Sequence, residues 1–359
     1  MLRRRTRISL LIVLALLVLL ALAVVLRMKA PPEAARLLPE SDAIVYLDLK
    51  PLRAATHFDP NAPPIDRDPG YQHFLDATGF NWERDLDEVA IALHQMPDPN
   101  GPNGPVAFSA VFQGRIDRRQ MEPYLTSLST GTENYAGQDI FIIPSEDRTV
   151  RVTFLGYDMV ATSNMPTSEQ IHSIIDRYRT AALASSGSSL LDERYGDVPL
   201  LSFAWGIGRL GLPFAIHPPH TADPGQIQLK GLTLPVPADA TFVASIGLEE
   251  NIAAAIEHTG ALHVHLEEIT PDASTAAATA QTLQTIVDIY RGLQPALQQS
   301  SSPPSKDDAA LQQSIRSLRI DHHSNRVILT GSASADLVRS IFSPAVADAT
   351  DSPASPSTH

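Results

Sequence analysis

Cysteine is absent from the 359 residues. That excludes disulfide staples, thiolate metal sites, cysteine nucleophiles and a lipid-modified cysteine anchor together. Aromatic residues are scarce at 6%, with two tryptophans, and Trp82 and Trp205 stand singly, as core residues do more often than ligand platforms. Basic charge is also thin. Arg3, Arg4, Arg5, Arg7, Arg27 and Lys29 account for six of the 27 basic residues, leaving 21 against 40 acidic ones, a balance of −19. Such a surface repels phosphate backbones and anionic headgroups, so nucleic acid is excluded as a partner.

One stretch lacks charge altogether. Ile8 to Leu26 is apolar except for Ser9 and contains no Gly or Pro. A helix of that length reaches about 28 Å, close to a hydrocarbon core about 30 Å thick. Signal-peptide cores are shorter, about 7–15 residues, and end at small-x-small sites; here the run ends Val24-Val25-Leu26-Arg27. The expectation is an uncleaved signal-anchor: a single-pass transmembrane helix with a cytoplasmic stub 1–7. The heavier Arg flank points the N-terminus inward, leaving the bulk extracytoplasmic at a bacterial inner membrane.

Beyond the anchor, β-branched and aromatic runs predict strands over 43–49, 89–94, 106–116, 139–143, 149–155, 158–163, 200–205, 241–248, 261–269, 318–321 and 327–329. Helices are expected near 33–38 and 71–77, and three longer ones open at Asp117, Thr167 and Asp272. Asp117 with Gln120 and Thr167 with Gln170 form capping-box variants. Apolar stripes follow each: Met121, Tyr124, Leu125, Leu128; Ile171, Ile174, Ile175, Tyr178; and Ala276, Ala280, Leu283, Val287, Tyr290. A last helix is expected from Ser334. Composition assigns 185–240 to a Pro/Gly/Ser-rich connector holding one strand, about 299–310 to a disordered insert and 344–359 to a disordered tail. The fold class expected is α+β, mainly antiparallel sheet with amphipathic helices, in lobes 27–184 and 241–343. Thr162–Ile175 aligns without gaps on Leu329–Phe342, placing Thr167 on Ser334 and Ile174 on Ile341. Duplication of one lobe, or two similar capped helices ending similar hairpins, would each produce that echo.

Two segments carry a family likeness. Arg36-Leu37-Leu38-Pro39-Glu40-Ser41-Asp42-Ala43-Ile44-Val45-Tyr46 and Tyr135-Ala136-Gly137-Gln138-Asp139-Ile140-Phe141 resemble a bacterial membrane-anchored family of domain-of-unknown-function proteins. The resemblance covers most of 36–342. It implies one N-terminal membrane helix and an exported α+β region, and no residue role.

Motifs for chemistry fail one by one. Gly206-Ile207-Gly208-Arg209-Leu210-Gly211 matches a dinucleotide fingerprint, but Pro213 and a Pro-rich stretch follow where a helix must begin. No cofactor is expected. His263 and His265 share one strand face, and His217 and His220 flank two prolines near Asp223. These are the weak metal candidates, since zinc needs three or four clustered ligands and each pair lacks a third at motif spacing. His322-His323 sit in a hairpin. Glu267 and Glu268 point to opposite strand faces, and Asp85, Asp87 and Glu88 read as a solvated turn. Asp98–Asn103 lacks calcium-loop spacing, and neither G-x-S-x-G, S-x-x-K nor H-E-x-x-H occurs. The catalytic residues stay unassigned. The reading that remains is a non-enzymatic binding or structural module of the cell envelope with a protein partner. Its rivals are an anchored hydrolase with a metal or carboxylate site and an accessory subunit of a transport or secretion complex.

Overall fold

A computed structural model describes residues 30–55, 69–99, 104–145, 148–181, 187–209, 226–229, 232–235, 240–248, 261–298 and 306–334. The alternating apolar runs do form strands: β1 (Ala43–Asp48), β2 (Leu86–Gln95), β3 (Val106–Gly114), β4 (Gly131–Tyr135), β5 (Gln138–Ser145), β6 (Arg148–Leu155), β7 (Met159–Ser163), β8 (Ser202–Arg209), β9 (Gln226–Leu229), β10 (Leu232–Pro235), β11 (Thr241–Gly247), β12 (Ala261–Ile269), β13 (Arg319–His323) and β14 (Arg326–Ser334). Helices α1 (Glu33–Arg36), α2 (Leu49–Ala55), α3 (Pro69–Thr78), α4 (Trp82–Asp85), α5 (Arg118–Leu128), α6 (Glu169–Thr180), α7 (Ser189–Arg194), α8 (Ala273–Gln298) and α9 (Lys306–Ser317) lie between them.

Twelve strands join one antiparallel sheet in the order β13-β14-β12-β11-β8-β1-β2-β3-β7-β6-β5-β4, and β9–β10 is a separate hairpin. This corrects the expected architecture. One continuous large sheet, with helices as its cover, replaces an anchored α+β fold of two lobes joined by a connector. The connector's strand β8 lies in the middle of the sheet, paired to β1 and β11. The transmembrane, single-pass and signal-anchor expectation is corrected as well. Among the described residues no helix is long and apolar enough to cross a membrane, and the run Ile8–Leu26 on which it rested lies outside them.

The two halves of the sheet repeat one topology. Order β1-β2-β3-β7-β6 matches β8-β11-β12-β14-β13, and the halves meet at β1–β8, whose paired segment centres on Val45 opposite Gly206. From Val45 the register runs Ile91, Ala110, Thr162. From Gly206 it runs Ala244, Leu266, Leu329. Thr162 thus corresponds to Leu329, the same match that the sequence echo makes. Two independent routes to one correspondence identify an internal duplication about a pseudo-two-fold axis. Close approach at that junction requires glycine: Gly208 has φ +125°, and a Cβ there would lie 2.4 Å from the Asp42 carbonyl oxygen.

Helices cover both faces. On one, Ile171, Ile174 and Ile175 of α6 are fully buried with Ile44, Val111, Leu155, Met159 and Trp205. On the other, Met121 and Leu125 of α5 pack on Phe141, Val152, Phe154 and Val160. Val327, the counterpart of Val160, packs likewise under Ala276 and Ala280 of α8. Local details vary. Asp117 caps α5 through the Arg119 N–H at 3.0 Å, and Asp272 accepts from Thr275 N–H at 2.8 Å. The Thr167 box does not form; Ser168 is the N-cap and makes no capping bond, because its hydroxyl donates to Glu133 instead. Leu128 is 43% exposed and Trp82 46%, against the expected burial of both. Lys306–Ala310 of the expected insert are helical in α9. Ser334, expected to open the last helix, ends β14; Ile341 and the rest of that expected helix lie outside the described residues, as does the tail.

Candidate functional site

The duplication shows where the second half departs from the first. Val111 and Met159 are buried under α6; by the same register, Glu267 on β12 and Arg326 on β14 occupy their places. An apolar pair has become an ion pair. The Glu267 side chain is 6% exposed and takes a hydrogen bond from Arg326 Nη1. The same Nη1 donates to Asp197 Oδ1 at 2.8 Å. Asp197 belongs to a 3-10 turn, Tyr195–Asp197, that runs on from α7. Arg194 lies 3.9 Å from the other Asp197 oxygen, and His265 Nε2 is 3.5 Å from Glu267 Oε2. Burial alone would raise the Glu267 carboxyl, but the nearby His265 imidazole and the bond and charge of Arg326 outweigh it and hold the group below its usual range. Two anions and two guanidinium groups thus close on one another, beside a histidine.

A second group lies on the same face at the sheet's centre. Asp48 and Glu88 are opposite each other on β1 and β2. Burial pushes both carboxyls up, Asp87 raises each of them, and Asp48 raises Glu88 further. The Tyr46 hydroxyl bonds to Glu88, and burial beside these carboxylates raises the phenol. Tyr46 stacks on Trp205 at 5.2 Å, and Tyr195 meets Trp205 edge-on at 5.4 Å. The 3-10 turn therefore links both groups: Tyr195 packs at one and Asp197 binds at the other. Two facing carboxyls, both raised by burial, are the arrangement nearest to acid–base chemistry among the described residues.

Serine and histidine also meet. His94 Nε2 is 3.1 Å from Ser109 Oγ, which is 3.0 Å from Ser163 Oγ. Both serines are completely buried, so no substrate reaches them, and the chain instead fixes β2, β3 and β7 at one level. Burial holds the imidazole below its ordinary pKa, against the pull of Asp42 and a bond to the Glu40 backbone. The folded state thus favours neutral His94, and its contribution to stability is complete above about pH 6.5 and falls as pH drops through that value. Urea midpoints taken at pH 7.5 and 5.5 should show a larger acid loss in the wild type than in His94→Gln. That comparison cancels Asp48 and Glu88, whose raised carboxyls act with opposite sign. Equal losses would refute the assignment.

A cleft of about 440 Å³ lies between α1, α6 and α7, lined by Arg36, Glu40, Arg177 and Ser189 among others. Glu40 accepts from Ser189 N–H at 2.9 Å, from Ser189 Oγ at 2.6 Å and from Arg177 at 3.0 Å, so its carboxylate is already bound within the chain.

Several residues read from the sequence find their place here. His263 and His265 share the face of Glu267, but among the described residues no three His, Asp or Glu side chains could hold a metal together. His217 and His220 lie outside those residues. Glu267 and Glu268 do face opposite ways, Glu268 pairing with Phe242 and Val327. Gly206 and Gly208 sit inside β8, whereas Leu210, Gly211 and Pro213 lie outside the described residues. Asp48 and Glu88 escaped notice because Glu88 was read as turn. Strand parity was the available signal: Glu88 is two residues from Ala90, which lies opposite Tyr46. Asp197 and Arg326 carried no local signal.

No family model matches the chain, and no curated protein matches it. Among solved structures, crystal forms I, III and IV of TP0453 align with 87–88% of this chain and 98–99% of theirs at 10–11% identity. Their TM-scores are 0.37, 0.38 and 0.42, a likeness too slight to carry any inference about function.

Proposed function

We propose that this chain is a non-enzymatic binding module of the cell envelope, acting outside the cytoplasm on a protein or other envelope partner. The carrying observation is the asymmetry of its halves. Where one half has the apolar Val111 and Met159 under α6, the other has Glu267 and Arg326, closed into a network with Asp197 and His265. Groups locked in mutual pairs hold a shape and leave little free for proton transfer. The acidic balance suits a soluble exterior.

Crosslinking of intact cells that express the tagged full chain, then mass spectrometry, should return one discrete partner. The rival reading is a carboxylate hydrolase built on Asp48 and Glu88. It would prevail if the purified chain turned over ester, phosphate, glycoside or peptide substrates and Glu88→Gln abolished the activity.

A further inference from the structure

We infer that the chain associates with a second copy of itself through β13, the two β13 strands pairing antiparallel about an axis at Ile320. The duplication locates the vacancy. In the first half, the segment between α5 and β6 forms hairpin β4–β5, and β5 pairs with the outer side of β6. In the second half, the segment between α8 and β13 contains α9. Strand β13, the counterpart of β6, is left at the edge of the sheet with β14 as its one neighbour. Its outer backbone groups therefore have no strand partner among the described residues, and such an edge is a template for strand addition.

Side chains choose the occupant and the register. A two-fold axis normal to the sheet keeps each residue on its own face, so a residue can oppose only residues an even number of positions away. Axes at Arg319, Ile320, Asp321 and His322 all use β13. The last sets two histidines together and carries the pairing into the turn, with Ile320 opposite Ser324, whose φ is 54°. An axis at Arg319 sets Arg319 against its own copy, and one at Asp321 sets two aspartates together; both put like charges opposite each other, which destabilises a pair. An axis at Ile320 places Arg319 opposite the second copy's aspartate and Asp321 opposite its arginine. Ile320 then faces its own copy on the side where it already packs with Ala276, Ala280 and Leu283. Arg319 and Asp321 are both exposed, and no ion pair among the described residues uses either. The interface is isologous, as closed two-fold dimers require. It repeats the junction of β1 with β8 at the sheet's middle, where the two halves already meet antiparallel about a pseudo-two-fold axis. Self-association is separate from the partner binding proposed above and does not depend on it.

Sedimentation of the full chain in mild detergent should show a reversible dimer. Asp321→Arg and Arg319→Asp should each weaken it at least about tenfold by setting like charges opposite one another, and the double exchange Arg319→Asp/Asp321→Arg should restore it. The lack of cysteine permits a second reading of register. Ile320→Cys should oxidise to a covalent dimer, since directly opposed Cβ atoms lie about 4.5–5.5 Å apart. Arg319→Cys should do so poorly, its own copy being diagonal at about 7–8 Å. A chain that stays monomeric overturns the inference. So does a dimer indifferent to the single exchanges, or one that the double exchange does not rebuild.

Discussion

Arg326→Met should lower unfolding stability by about 3–5 kcal/mol, the range for removing one partner from a buried ion pair. It strips Glu267, whose side chain is 6% exposed, of its guanidinium, and it leaves Asp197 with only Arg194 at 3.9 Å. Glu267→Val alone should cost less, because Arg326 is one-third exposed and keeps Asp197. The informative variant is Glu267→Val with Arg326→Met, which writes the first half's Val111 and Met159 into the second. Replacing a buried pair by apolar residues of similar volume is often neutral or stabilising, so the double variant should recover most of the loss. Denaturant unfolding of the four proteins forms a double-mutant cycle whose coupling isolates the pair. Additive losses would mean that Glu267 and Arg326 do not act as a pair, and the asymmetry of the halves would lose its energetic meaning.

Ile174→Ala should cost about 2–5 kcal/mol, as for other buried aliphatic truncations. Ile174 is fully buried between Ile171 and Ile175 in the contact of α6 with the sheet. Leu125→Ala, 8% exposed on the opposite face, belongs to the same range. Leu128→Ala is the internal control. It lies on the same sequence stripe as Leu125 but is 43% exposed, so its truncation should stay under about 1 kcal/mol. Urea midpoints decide the matter. A Leu128 loss equal to that of Leu125 would show that the stripe, rather than the observed packing, governs the energetics.

Most strands were legible in the residues themselves because alternation and β-branching are local properties. Ala43–Asp48, Val106–Gly114 and Ala261–Ile269 all fall within or close to their expected spans. The hairpin turn at Ala136-Gly137 has positive φ at both residues, as a two-residue turn demands. Gly131–Tyr135 escaped because Thr132, Glu133, Asn134 and Tyr135 show little apolar alternation; this edge strand is held by β5 and by the bond of Glu133 to His172 at 2.7 Å. The caps at Asp117 and Asp272 followed from short-range chemistry, whereas Ser168 turned to Glu133, 35 residues away, a competitor that no local rule can see. Sequence alone determined the absence of cysteine chemistry, the acidic balance, the strand-rich character and the echo that places Thr162 on Leu329. Only the tertiary structure decided that one sheet unites both halves, because strand order depends on pairings between distant segments. It also decided that Arg326 meets both Glu267 and Asp197, since 59 and 129 residues separate partners whose contact depends on the register of β12 with β14 and on the path of the turn after α7.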